Sequence, residues 1–124
     1  MKLSNDFSPY VKSLFFEIQR CCLVCGSNQR CSVHHIFSRI SSSMFNGITL
    51  CDLHHKEADC FNVSGGMKGD EFRQKLLLLT VTAFYQNQWW MDYLPEEDKR
   101  ENEIFLLSIE KDFKIVADKI KNML

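Results

Sequence analysis

Apolar positions recur at helical spacing in three parts of the chain and crowd into two short runs between them. Val11, Leu14, Phe15 and Ile18 fall at i, i+3, i+4 and i+7. That spacing predicts a helix over SPYVKSLFFEIQR with one buried stripe. Ser8 suits its cap and Pro9 its first turn. Phe72, Leu76, Leu79, Ala83 and Trp90, widened by Leu77, Leu78 and Val81, predict a long helix over residues 70–92. Pro95 breaks the chain, and Phe105, Ile109, Phe113, Val116 and Ile120 predict a last helix over residues 96–123. Between the first and second helices, residues 21–30 turn at Gly26, Ser27 and Asn28. CSVHHIF and ITL are β-compatible runs able to pair as a hairpin, joined by the polar loop SRISSSMFNG. DLHHKEADC reads as a short helix, and NVSGGMKGD as a glycine-bearing loop and the clearest internal boundary.

This order is α+β, and 124 residues suit a single domain, 1–124. Hydrophobic residues at 45% and charged residues at 25% exclude wholesale disorder, and 10 Phe promise a filled core. No run approaches the ~20 apolar residues that span a bilayer. The opening MKLSNDFSPY lacks the apolar core of a signal peptide, so the expected location is the cytoplasm and no membrane partner is expected.

A net charge of -1 argues against a general DNA-coating protein. The charge is uneven. Residues 1–60 hold six Lys/Arg against five Asp/Glu together with all four histidines, whereas residues 92–124 hold nine acids against six bases. A cation bound in the first part would make it locally positive.

Six cysteines in an intracellular chain suit metal ligands or thiols better than disulfides. Cys22-x2-Cys25 is a knuckle spacing, and Cys51-x2-His54 repeats it with one imidazole. Two such pairs flanking a hairpin make one Cys3His site, the pattern of a structural zinc. Cys21 fits that set less well than Cys22, and Cys31 and Cys60 read as core or unligated thiols. His34, His35 and His55 remain, enough for a second, open site. Neighbours on a regular strand point to opposite faces, so His34 and His35 can share a site only at a strand end or distortion.

CLVCG, VHHI and NGITLCDLHH together resemble the HNH endonucleases, which have a ββα-metal fold. The similarity covers residues 21–60 and includes the Asn46-x8-His55 spacing; residues 70–124 lie outside it as a helical extension. The resemblance implies a small zinc-stapled ββα-metal core, flanked by an N-terminal helix and two long C-terminal helices. It implies that His35 is the general base, that His34 and His55 bind a catalytic Mg2+ or Mn2+, and that Asn46 orients the loop and the base. Asp59, one helical turn after His55, can add a carboxylate. His54 stands where the family's second knuckle usually ends in Cys, so His54 and His55 are both open as the fourth zinc ligand. Such small nucleases often belong to phages, mobile elements, or repair and restriction systems.

The chemistry agrees. An imidazole, with an ordinary pKa of about 6.5, can take a proton from water at neutral pH. A divalent cation can relieve charge on the scissile phosphate and leaving oxygen. Arg39, just past the first β run, can contact a phosphate. The expected activity is hydrolysis of DNA phosphodiester bonds. The competing reading is a non-catalytic zinc module that binds nucleic acid or a protein partner. Its C-terminal helices would serve for homodimerisation or docking, with Trp89, Trp90 and Tyr93 as anchors.

Overall fold

The computed structural model describes residues 6–64 and 66–123, and of 61–64, 66–68 and 123 the backbone alone. The order is α1 (Pro9–Ile18), β1 (Ser32–His35), β2 (Gly47–Leu50), α2 (Asp52–Ser64), α3 (Gly66–Gln86), α4 (Glu96–Ser108) and α5 (Glu110–Met123). Among the described residues, five α-helices and one two-stranded antiparallel sheet make an α+β fold. Among the described residues, no helix is long and apolar enough to cross a membrane.

The first helix forms as its sequence dictates. Ser8 Oγ accepts the Val11 N–H at 3.2 Å, Pro9 opens the first turn, and Val11, Leu14 and Phe15 are buried. Both β runs pair as a hairpin, with Val33 opposite Thr49 and His35 opposite Gly47. The first run is shorter than CSVHHIF: β1 stops at His35, and Ile36 donates its N–H to the Asn46 carbonyl as the chain turns away.

Three predicted elements differ. The glycine-bearing stretch is mostly helical: α2 runs to Ser64 and α3 starts at Gly66, while residue 65 and the first five residues lie outside the described set. Glycine costs a helix only about 1 kcal/mol, which packing can override. The helix over 70–92 ends at Gln86, and Gln88–Asp92 form a separate 3-10 turn. That turn carries Trp90 inward, where its Nε1–H donates to the Phe84 carbonyl at 2.8 Å, satisfying an end group of α3. Trp90 is therefore core and Trp89 is exposed. The helix over 96–123 breaks at Ile109, which leaves helical geometry and is buried. The break lets α5 fold back along α3, so the apolar side chains of both C-terminal helices serve one core.

That core joins Val11, Leu14, Phe15, Phe45, Leu77, Phe84, Trp90, Phe105 and Val116. A smaller one gathers Cys22, Ile36, Ile48, Leu50, Cys51, Ala58 and Leu76. Helix α3 serves both through adjacent residues, Leu76 and Leu77, so its buried face is turned from the stripe expected through Phe72, Leu79 and Ala83, which are half-buried. Gln19, buried just after α1, ties the layers. Its Oε1 accepts the Thr49 N–H at 2.8 Å and its Nε2 donates to Thr80 Oγ1 at 2.6 Å; Thr80 donates to the Gly47 carbonyl at 2.6 Å.

At Gly47 the sheet lies close against Phe15 of α1 and Phe7. A Cβ there would lie 2.3 Å from Phe15 Cζ and 2.8 Å from Phe7 Cζ. Gly47→Ala is expected to destabilise by about 1–3 kcal/mol, read by urea unfolding, because neither buried ring can yield without displacing the core.

Candidate metal centre and adjoining cleft

The knuckle forms because its backbone closes on itself. Cys22 accepts the Gly26 N–H through its carbonyl at 2.8 Å and donates its own N–H to the Ser27 carbonyl at 2.8 Å. Gly26 sits at φ 79, left-handed geometry that glycine adopts without penalty. Leu23 N–H to the Thr49 carbonyl, 3.1 Å, ties the knuckle to β2. Cys51 follows β2 directly, and His54 lies in the first turn of α2.

These elements bring Cys22, Cys25, Cys51 and His54 together, with one ligand atom of each within 4.8 Å of the others. A tetrahedral ion with Zn–S of ~2.3 Å and Zn–N of ~2.05 Å needs S···S of ~3.8 Å and S···N of ~3.6 Å. The observed separations are 3.8 Å for Cys25–Cys51, 3.6 Å for Cys22 to His54 Nδ1 and 3.2 Å for Cys51 to His54 Nδ1. The four residues therefore fit a metal ion such as zinc. The 3.8 Å sulfur separation is far beyond a disulfide bond of ~2.05 Å. Burial raises the Cys22 thiol, but N–H groups of Cys51, Cys25 and Val24 outweigh it and bring the pKa down to about 6. A thiolate is the form a metal takes. Cys21 and Cys31 are half-buried, Cys60 is exposed, and none of the three joins the cluster.

A second group lies across the hairpin: His34, His55 and Asp59. Asp59 Oδ1 is 3.5 Å from His34 Nδ1 and 3.9 Å from His55 Nε2. The two imidazoles meet edge to face with centroids 5.0 Å apart. His34 is 5% exposed, and burial first, then the neighbouring His55, pushes its pKa down to about 4, despite the opposing pull of Asp59. It is neutral at pH 7, with a lone pair to offer. His54 thus faces the thiols and His55 the carboxylate, consecutive residues of α2 turned to two different clusters.

His34, His35, Arg39, His55 and Asp59, with Val33 and Ser38, line an open cleft of about 450 Å³. His34 and His35 belong to opposite faces of β1, yet both reach it because the strand ends at His35. The His35 ring stacks on buried Phe7 at 4.3 Å between centroids and 12° between planes, and Phe7 in turn packs edge-on against Phe15 at 5.0 Å.

Asn46 is fully buried and pins the loop after His35. Its Oδ1 accepts the Phe37 N–H at 2.8 Å, and its Nδ2 donates to the carbonyls of Ser38 at 3.0 Å and Ser41 at 2.9 Å. Ser38 is held at φ 57, unfavourable for a residue with a Cβ, immediately before Arg39. Arg39 is mostly exposed and lies 3.8 Å from Asp6.

Two contacts of this site have no sequence signal: the Phe7–His35 stack, and a 2.7 Å hydrogen bond between Ser32 Oγ and His55 Nδ1. The latter leaves Nε2 as the nitrogen facing Asp59. Such outer partners set the tautomer of a ligating histidine, and losing one typically costs 10–100-fold in affinity, roughly. If His34, His55 and Asp59 take up a divalent cation, Ser32→Ala is expected to weaken that uptake by about this factor in calorimetric titration with Mn2+, leaving any metal at the cysteine cluster unchanged. No family model, curated protein or solved structure matches the chain.

Proposed function

We propose that this protein is a metal-dependent endonuclease of the HNH kind, hydrolysing DNA phosphodiester bonds and built on a ββα-metal core stapled by a structural zinc. The observation that carries the reading is the single cleft shared by a neutral buried imidazole, a second imidazole, a carboxylate, a stacked histidine and an arginine. The separate Cys22/Cys25/Cys51/His54 cluster is suited to zinc and leaves this cleft for chemistry.

In this reading His34, His55 and Asp59 would hold the catalytic cation. The cation supplies charge relief on the scissile phosphate and on the leaving oxygen. His35 takes the proton of the attacking water, with Phe7 fixing the plane of its ring. Ser32 Oγ would accept the Nδ1–H of His55, which would leave Nε2 as the nitrogen able to ligate. Arg39 donates to the phosphate, and Asn46 holds the loop that carries it. Two imidazoles and one carboxylate favour Mn2+ over Mg2+, because nitrogen donors rank the later divalent ions higher.

The protein would act on DNA in the cytoplasm. A homodimer through the C-terminal helices, where Ile104 and Leu107 of α4 are exposed, would place two clefts on a duplex.

The test is hydrolysis of a labelled DNA oligonucleotide by zinc-loaded protein with Mn2+, Mg2+ or neither. Cleavage is expected with Mn2+, less with Mg2+, and none without either. A protein that binds zinc in stoichiometric amount, takes up no second cation and cuts nothing would be the non-catalytic zinc module.

A further inference from the structure

A second depression of about 360 Å³ runs between α1 and the start of β1. It is lined from α1 and its C-terminal end by Lys12, Phe16 and Arg20, and from the sheet by Val33 and Thr49; among the described residues no acidic side chain lines it. In a chain of net charge -1 that lining is unusual. Phe16 is 81% exposed, although α1 has a buried stripe available for its apolar residues. Lys12 and Phe16 are one helical turn apart, ~6 Å along the axis. Arg20 follows the end of the helix, so cation, aromatic ring and cation succeed one another along the groove.

The floor adds an independent observation. Thr49 is 7% exposed, and its Oγ1 has no hydrogen-bond partner among the described residues. A buried hydroxyl without a partner is costly, and Thr49 lines the groove although its Oγ1 is itself shielded from solvent. The groove shares a lining residue with the histidine cleft. Val33 lines both, and Ser32, at the groove's edge, holds His55.

We infer that this groove binds a single-stranded segment of DNA leading into the histidine cleft. This names the substrate class of the proposed nuclease, and rests on that reading only for what happens in the cleft. Two separated cations match phosphates on one strand. An exposed aromatic ring between them is a platform for an unpaired base, which every base can use whatever its sequence. A paired base has both faces covered by its neighbours, so a continuous duplex cannot use Phe16. The substrate expected is therefore DNA with an unpaired stretch, such as a flap, branch or single strand.

Fluorescence anisotropy tests this with zinc-loaded protein, no Mg2+ or Mn2+, and a labelled oligothymidylate beside a blunt duplex of the same length. The single strand is expected to bind more tightly. Phe16→Ala should weaken it roughly tenfold and leave the duplex unchanged. Lys12→Ala and Arg20→Ala should each flatten the salt dependence by about 0.7 in log–log slope. All three side chains are exposed, so thermal melts should match wild type. Single-strand binding indifferent to Phe16, or a loss equal on duplex and single strand, overturns the inference. Because binding is read without the catalytic cation, the two readings fail separately. Phe16-dependent strand binding by a protein that never cuts keeps the groove and removes the nuclease; cutting that ignores Phe16 does the reverse.

Discussion

If the Cys22, Cys25, Cys51 and His54 cluster holds the proposed structural zinc, stripping that metal is expected to abolish cooperative unfolding of the chain. The cluster brings the knuckle to the end of β2 and the first turn of α2, beside the Leu23–Thr49 backbone hydrogen bond. The apolar core beneath it is small, and two of its seven members are the ligands Cys22 and Cys51. Structural zinc sites contribute apparent binding energies of about 10–16 kcal/mol, comparable with a whole domain's stability of about 5–15 kcal/mol. Without the ion, Cys22, whose backbone donors favour the thiolate, is left beside two other sulfurs. Cys51→Ser should lower Tm by about 15 °C or more, since for a chain of this size each 1 kcal/mol is worth roughly 4 °C. Calorimetry with and without a chelator reads it directly. A chelated protein that melts at the same temperature as the loaded one would show that the staple contributes nothing.

The second large effect separates two histidines that are neighbours in sequence. His35→Ala should lower the cleavage rate by about 10²–10⁴-fold, the range of a lost general base. Its thermal midpoint should stay close to wild type, because the ring is only half-buried and the lost stack with Phe7 is worth about 1 kcal/mol. His34→Ala should also lose cleavage, but by weakening the cation site, so raising Mn2+ should recover part of the rate. It should not recover His35→Ala. Identical Mn2+ responses in the two variants would contradict the division of roles between the two faces of β1.

Local spacing was enough to anticipate α1, the hairpin, the Cys3His grouping and the place of Asp59 one turn beyond His55. Each shows as a local signature, a helical or strand period or a repeated x2 spacing, even where the two halves lie far apart in the chain, as Cys25 and Cys51 do. The sequence left His54 and His55 interchangeable. Their separation follows from how α2 sits on the hairpin, with one residue toward the knuckle and the next toward β1. The helix breaks were less legible. Ile109 continues an apolar period without interruption, and only the return of α5 along α3 makes a bend there favourable. The end of α3 depends on Trp90 reaching back to the Phe84 carbonyl. Glycines in NVSGGMKGD suggested a loop, yet the backbone is helical on both sides of residue 65. Ser32 and Phe7 were invisible as site residues because their partners lie 23 and 28 positions away.

The measurement that goes most directly to the proposed activity is conversion of supercoiled plasmid to nicked or linear DNA by zinc-loaded protein. It should be run with Mn2+, with EDTA added just before assay, and beside His35→Ala. Cutting by wild type with Mn2+, none with EDTA, and at least a hundredfold loss in a folded His35→Ala variant, as roughly expected for a lost base, is the predicted result. Cutting that persists undiminished in the variant, or a wild-type protein inert on plasmid and on flapped DNA alike, would contradict it.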